Sequence, residues 1–263
     1  MDLGLKGKVA LVAAASRGLG RAVAEELAAE GAVLVLCSRK ADAISQTASE
    51  IAQASGAEVL ALAADVSKAE DVATLVRSGI ERFGRIDILV TNAGGPPAGP
   101  FESFSHEQWQ AATRLTLFSA VELARNVLPG MKERRWGRIL NITSIAVKQP
   151  VENLMLSNSL RAAVTGFART LANEVASFGI TVNNIMPGYT RTERVEELSR
   201  MMADREGISP AEFVARWERE IPMRRLGEPR EFAALTAFLV SERASYITGT
   251  SIPVDGGWIR ALM

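Results

Sequence analysis

Short apolar runs recur along the chain at Val9–Val12, Val33–Cys37, Val59–Ala63, Ile88–Val90, Ile139–Ile142, Thr181–Ile185 and Ser251–Val254. Between most of them lie segments whose apolar residues return every three or four positions, such as Ala22–Glu30, Ala41–Ala54, Val72–Phe83 and Ala111–Arg134. Runs of this length without polar alternation predict strands buried on both faces. Strands alternating with amphipathic helices predict right-handed βαβ units, hence an α/β protein with a doubly wound parallel sheet.

Two local signals place later helices. Ser105 with Gln108 forms a capping box ahead of a helix through Trp109, and Ser209-Pro210-Ala211-Glu212 combines an N-cap, a first-turn proline and the reciprocal acid. The second falls within Thr190–Pro222, which is too long for a simple strand-to-helix connection and is expected to be a lid or binding loop. Its charges, between Arg191 and Arg205 especially, suggest a mobile, solvent-exposed cover. No internal repeat or linker-like composition divides the chain, so residues 1–263 are expected to form one domain with an insertion at about 190–222.

Composition narrows the function classes. Thirty basic and thirty acidic side chains give no net charge, which argues against a nucleic-acid binder. The single cysteine, Cys37, cannot form an internal disulfide and lies in an apolar run, as a buried strand residue would. Met1–Lys6 has no signal-like apolar stretch, and no run is long enough for a membrane span, so a cytoplasmic location is expected. No His/Cys/carboxylate spacing suggests a metal site, and the lone histidine, His106, sits in the first turn of an outer helix.

Chemistry gathers at the ends of the strands. After the first run comes Ala14, then Ser16-Arg17-Gly18-Leu19-Gly20 opening a helix, a turn that lets backbone approach a pyrophosphate. The second run ends in Ser38-Arg39-Lys40, with no acid to accept from a ribose 2′-hydroxyl. Arg39 and Arg17 would suit a 2′-phosphate, although Arg39-Lys40 is also what a solvated loop looks like. Asp65-Val66 follows the third run, where the acid could reach an adenine amino group or simply cap a helix. Asn92-Ala93-Gly94 ends the fourth. Together these residues predict a phosphorylated dinucleotide, NADP(H) rather than NAD(H).

With Ile142-Thr143-Ser144, Pro187-Gly188 and the closing Ile247-Thr248-Gly249 and Val254-Asp255-Gly256-Gly257 added, essentially the whole chain resembles the short-chain dehydrogenase/reductase family, near its β-ketoacyl carrier-protein reductases. The resemblance implies an extended Rossmann fold with seven parallel strands. It also implies a homodimer or homotetramer paired through the two long helices Ala111–Arg134 and Ser157–Phe178, and hydride exchange with a small carbonyl or alcohol substrate. It adds Pro187, Gly188, Thr190 and Thr192 to the cofactor contacts.

The family's catalytic asparagine, serine, tyrosine and lysine fall on Thr116, Ser144, Ser157 and Arg161, so only the serine is retained. The first glycine of the nucleotide turn is Ala14. A serine hydroxyl is a far weaker acid than a phenol and a ring shorter. Arg161 stays charged, offering donors to a ribose or an acidic substrate, or pairing with Glu122 or Glu174. Of the two tyrosines, Tyr189 has a route to the site as an alternative acid or as a lining residue, while Tyr246 is expected to pack or to lie at an interface. Two functions follow: an oxidoreductase with a non-standard proton donor, or a nucleotide-binding sensor or scaffold. An empty structural subunit fits poorly with Gly18, Gly20 and Asn92.

Overall fold

The computed structural model describes residues 2–262. Seven strands, β1 (Val9–Val12), β2 (Val33–Ser38), β3 (Val59–Ala63), β4 (Ile88–Thr91), β5 (Gly137–Ile142), β6 (Ile180–Pro187) and β7 (Ser251–Val254), form one sheet in the order 3-2-1-4-5-6-7. All pairings are parallel. The order reverses between β1 and β4, which opens a crevice at the carboxyl ends of those two strands.

The helices cover both faces because strand side chains alternate. Ala10 and Val12 point toward α1 (Gly18–Ala29), α2 (Ala41–Ser55) and α9 (Pro229–Leu239). Val9 and Leu11 point toward α3 (Ala69–Phe83), α5 (Ser119–Arg134) and α6 (Met155–Val175). The helix expected from Ala111 begins earlier, as α4 (His106–Thr113), and joins α5 through a π-helical turn at Arg114–Phe118. The capping boxes at Ser105/Gln108 and Ser209/Glu212 both form.

The segment after β6 folds into α7 (Glu193–Glu206) and α8 (Pro210–Glu220), with its charges on the outer face and an apolar core of its own beneath them. Leu198, Phe213, Trp217 and Ile221 bury against Ile145, Met186 and Trp258. A polar chain then stiffens the sheet below the crevice. Thr91 Oγ1 donates to Asn141 Oδ1 (2.8 Å), Asn141 Nδ2 to Asn184 Oδ1 (3.1 Å), and Asn184 Nδ2 to Ser251 Oγ (3.0 Å).

Candidate active site

The turn after β1 is built for close backbone approach. Ala13 N donates to Val90 O (3.1 Å) and Ala15 N to Cys37 O (3.0 Å), which pins the turn between the neighbouring strand ends. Between them Ala14 holds φ 49°, a left-handed conformation that costs a non-glycine residue about 1 kcal/mol. Asn92 Nδ2 donates to Ala14 O (3.3 Å), and Gly20 packs so tightly there that a Cβ would lie 2.4 Å from that oxygen. Arg17, at the N-cap of α1, makes no side-chain capping bond, so the first N–H groups of the helix face the crevice. Thr47 Oγ1 fixes Ser16 by donating to its carbonyl (3.1 Å), and Leu19 packs on the core.

At the end of β2 the Ser38 hydroxyl donates to Lys40 O (3.1 Å). Arg39 is exposed and forms no ion pair among the described residues, so its charge is available to a ligand. Asp65 is not the N-cap of α3, which is Lys68. Its Oδ1 accepts from Ser67 N (3.0 Å) and Ser67 Oγ (2.8 Å). Partial burial works to raise its pKa, but the Ser67 bonds and the charges of Arg39 and Lys68 outweigh it and hold the carboxyl below its ordinary range. Val66 is buried beside it.

The reacting end is organised by Arg161 on α6. Its Nη1 donates to Ile142 O (2.9 Å) and Thr143 O (2.8 Å), its Nη2 to Gly94 O (2.8 Å), and its Nε to Ser157 Oγ (3.2 Å). The expected carboxylate partners are not used: Glu122 pairs with Arg125 (3.6 Å) instead. Burial pushes the guanidinium pKa down to about 10, and Arg194 adds like-charge repulsion, which still leaves a cation at neutral pH. Arg161 thus clamps the ends of β4 and β5 to α6.

Ser144 Oγ accepts from Ala146 N (3.1 Å). Ser144 and Ser157 therefore both accept from protein donors and keep a hydroxyl proton to give. Thr116 sits on the π-helical turn with its Oγ1 buried and unpartnered among the described residues. It lines a cavity of about 10 Å³ with Asn92, Ala93, Gly94 and Arg161, room for no more than a single water.

Tyr189 stacks on Trp217 (centroids 4.4 Å apart, planes at 18°) and meets Trp258 edge-on (5.8 Å). Burial in this cluster, with Glu220 nearby, pushes its pKa well up, the wrong direction for a proton donor at neutral pH. We expect Tyr189→Phe to leave turnover within about twofold of wild type in steady-state assays; a loss of tenfold or more would make the phenol the acid. Thr190 is buried and bridged to Gly227, and its hydroxyl donates to Gly188 O (3.4 Å). Thr192 caps α7, accepting from Val195 N (3.4 Å), and its side chain lies over Gly18. Pro187 ends β6, and Gly188 holds the following loop by donating to Val254 O (2.9 Å).

The remaining candidates lie elsewhere. His106 is exposed and bonds Gln110 (2.9 Å), and Tyr246 is fully exposed rather than packed. Burial raises the Cys37 thiol to about 11, so it is inert at neutral pH. Among the described residues no group of three or more His, Cys, Asp or Glu could hold a metal. One residue at the site had no signal in the sequence: Arg194, on α7, whose Nη2 donates to Pro96 O (3.0 Å).

Comparison with known proteins agrees with this geometry. A family model described as enoyl-(acyl carrier protein) reductase, of the short-chain alcohol dehydrogenase type, matches residues 13–259. The 3-oxoacyl-[acyl-carrier-protein] reductase FabG of Pseudomonas aeruginosa is 36% identical over 255 residues, covering 97% of this chain and 98% of that one. A D-beta-hydroxybutyrate dehydrogenase of Cupriavidus necator is 37% identical over 260 residues, covering 97% and 99%. The crystal structure of L-sorbose reductase from Gluconobacter frateurii, complexed with NADPH and L-sorbose, superposes with a TM-score of 0.95 at 36% identity over the whole of both chains. The chain therefore belongs to the short-chain dehydrogenase/reductase family of oxidoreductases.

Proposed function

We propose that the protein is an NADP(H)-dependent oxidoreductase that reduces a carbonyl, with β-ketoacyl thioesters among its candidate substrates, and does so without a phenolic proton donor. The observation that carries this reading is the cradle itself: Ala14 held left-handed, Gly20 pressed against its carbonyl, and Asn92 bonded to it. Arg39 is exposed at the end of β2 with no ion pair among the described residues, which supports a 2′-phosphate contact, and the related L-sorbose reductase structure holds NADPH. Bound there, the dinucleotide would supply hydride to the carbonyl carbon. Ser144 and Ser157 would donate hydrogen bonds to the carbonyl oxygen, the Arg161 charge beside Ser157 favours negative charge developing there, and water would supply the proton that completes the alcohol. Holding donor and acceptor in place supplies much of a rate enhancement by itself.

A second reading, a nucleotide-binding sensor or scaffold with little turnover, draws on one observation. Arg161 spends most of its donors on backbone carbonyls, so it is a clamp before it is a catalyst. NADPH oxidation over a panel of ketones and β-ketoacyl thioesters separates the two, since tight binding with no turnover favours the sensor. Arg39→Ala tests the cofactor assignment. NADPH should bind about 10- to 100-fold more weakly and NADH within about twofold of wild type, because one charge-assisted phosphate contact is lost. Equal losses for both nucleotides would remove Arg39 from the 2′-phosphate.

The same reading includes a cytoplasmic homodimer or homotetramer joined through α5 and α6. Phe118, 50% exposed at the start of α5, offers apolar surface for that contact. Among the described residues no helix is long and apolar enough to cross a membrane. Light scattering of the purified protein would check the assembly.

A further inference from the structure

Two guanidinium groups converge on the loop that follows β4, and their charge is poorly balanced. Arg161 donates to Gly94 O from below (2.8 Å). Arg194 comes from the lid helix α7 and donates to Pro96 O (3.0 Å). The Arg194 guanidinium lies flat against Gly95, where a Cβ would meet its Nε at 3.1 Å and its Nη2 at 3.2 Å. The two cations are thus anchored on residues 94 and 96, with residue 95 between them.

Arg161 forms no ion pair among the described residues. Arg194 has Glu197 at 4.0 Å, and that carboxylate is shared with Arg17 at 3.7 Å. The cavity beside Gly94 has no acidic residue in its lining. The donors are also unevenly used. Arg161 makes four bonds and so keeps one of its five N–H groups. Arg194 spends one N–H, on Nη2, on a protein hydrogen bond, and Glu197 lies at 4.0 Å from Nη1, beyond hydrogen-bond distance, so its other N–H groups are unspent on a side chain that is 46% exposed. A half-exposed guanidinium with unspent donors, a second cation close by and a shared carboxylate for its only acid is the chemistry that attracts an oxyanion.

We propose that Arg194 binds an oxyanion group, with the Arg161 charge behind Gly94 adding to the local positive potential, and that the substrate is a ketone or secondary alcohol carrying a carboxylate. This rests on the oxidoreductase reading above and names its substrate class. The alternative source of the oxyanion is the cofactor's pyrophosphate. That group belongs at the start of α1, where the lid presents Thr192 and Glu193 to Gly18, whereas Arg194 turns away toward Gly95 and Pro96. The geometry therefore favours the substrate. Because Arg194 rides on α7, the carboxylate would also tie the lid to the floor of the site.

The test uses the full chain saturated with NADP⁺, so that a ketone binds without turnover. 4-Oxopentanoate and its methyl ester are titrated by calorimetry into wild type, Arg194→Met and Arg194→Lys. The acid should bind wild type more tightly than the ester. Arg194→Met should weaken the acid about 10- to 100-fold, the loss of one charged hydrogen-bonding partner, and leave the ester and NADP⁺ within about twofold. Arg194→Lys should recover part of the loss. If Arg194→Met weakens NADP⁺ and treats acid and ester alike, Arg194 serves the pyrophosphate and the carboxylate assignment is wrong. If it changes none of the three affinities, there is no oxyanion site. Failure of wild type to bind NADP⁺ would instead sink the oxidoreductase reading, a separate outcome.

Discussion

Turnover of a ketone with NADPH should rise by about 10²- to 10⁴-fold when Ser157→Tyr and Arg161→Lys are combined, the usual contribution of a positioned general acid. The reason lies in what these two side chains now do. Ser157 keeps a proton to donate, but an aliphatic hydroxyl is far weaker as an acid than a phenol, whose pKa starts near ~10 and falls beside a cation. Arg161 already touches residue 157 through Nε (3.2 Å), so the wild-type pair has a cation and a hydroxyl four residues apart on one helix face. The pairing needed for a phenolic acid is present, and the acid is not. The exchange also has a structural cost. A lysine cannot reproduce the guanidinium fork that holds Ile142, Thr143 and Gly94, and the lost bonds should lower stability by about 1–3 kcal/mol, read as a Tm several degrees lower. Steady-state kinetics and thermal melts on the single and double variants check both halves. A double variant that binds NADPH normally yet gains less than about threefold in kcat would show that something other than the proton donor limits the reaction.

Gly20→Ala should abolish useful nucleotide affinity, raising the Kd for NADPH by about 100-fold or more, about 2.7 kcal/mol. The added methyl would lie 2.4 Å from Ala14 O and 2.9 Å from Asn92 Nδ2. The first of these contacts is backbone, which cannot swing aside, so the turn itself must move. Moving it breaks the Asn92 bond to Ala14 and displaces the N-terminus of α1, the two features that shape the cradle. Overpacking of this kind also costs about 1–3 kcal/mol of stability, so urea unfolding should accompany the binding measurement. Unchanged NADPH affinity in a folded Gly20→Ala protein would mean that the nucleotide binds elsewhere.

The frame of the protein could be read from residue patterns because the relevant signals are local. The apolar runs at Val9–Val12, Val59–Ala63 and Ser251–Val254 are strands with those same bounds. The capping boxes at Ser105 and Ser209 formed because each is closed within four residues. The tight turn between β1 and α1 is legible for the same reason. What escaped was long-range. The lid's charges hid its core, since Tyr189, Trp217 and Trp258 meet only in three dimensions. The partners of Arg161 are main-chain carbonyls at the ends of β4 and β5, and no residue type announces a carbonyl acceptor, whereas an acid such as Glu122 is visible in the sequence as a possible partner. Arg194 was one cation among many in a charged helix until its contacts with Gly95 and Pro96 set it apart. The packing of Tyr189 against two tryptophans is likewise invisible from its place after Pro187-Gly188.

On the proposed function, the crevice between β1 and β4 is shaped for a phosphorylated nicotinamide dinucleotide, independent of the missing phenol. Equilibrium fluorescence titration of the wild-type chain with NADPH and NADH tests it most directly. Saturable binding of NADPH, at least about tenfold tighter than NADH, is the predicted result, since one extra charged phosphate contact is worth about that much. A protein that binds neither nucleotide at millimolar concentration would contradict it.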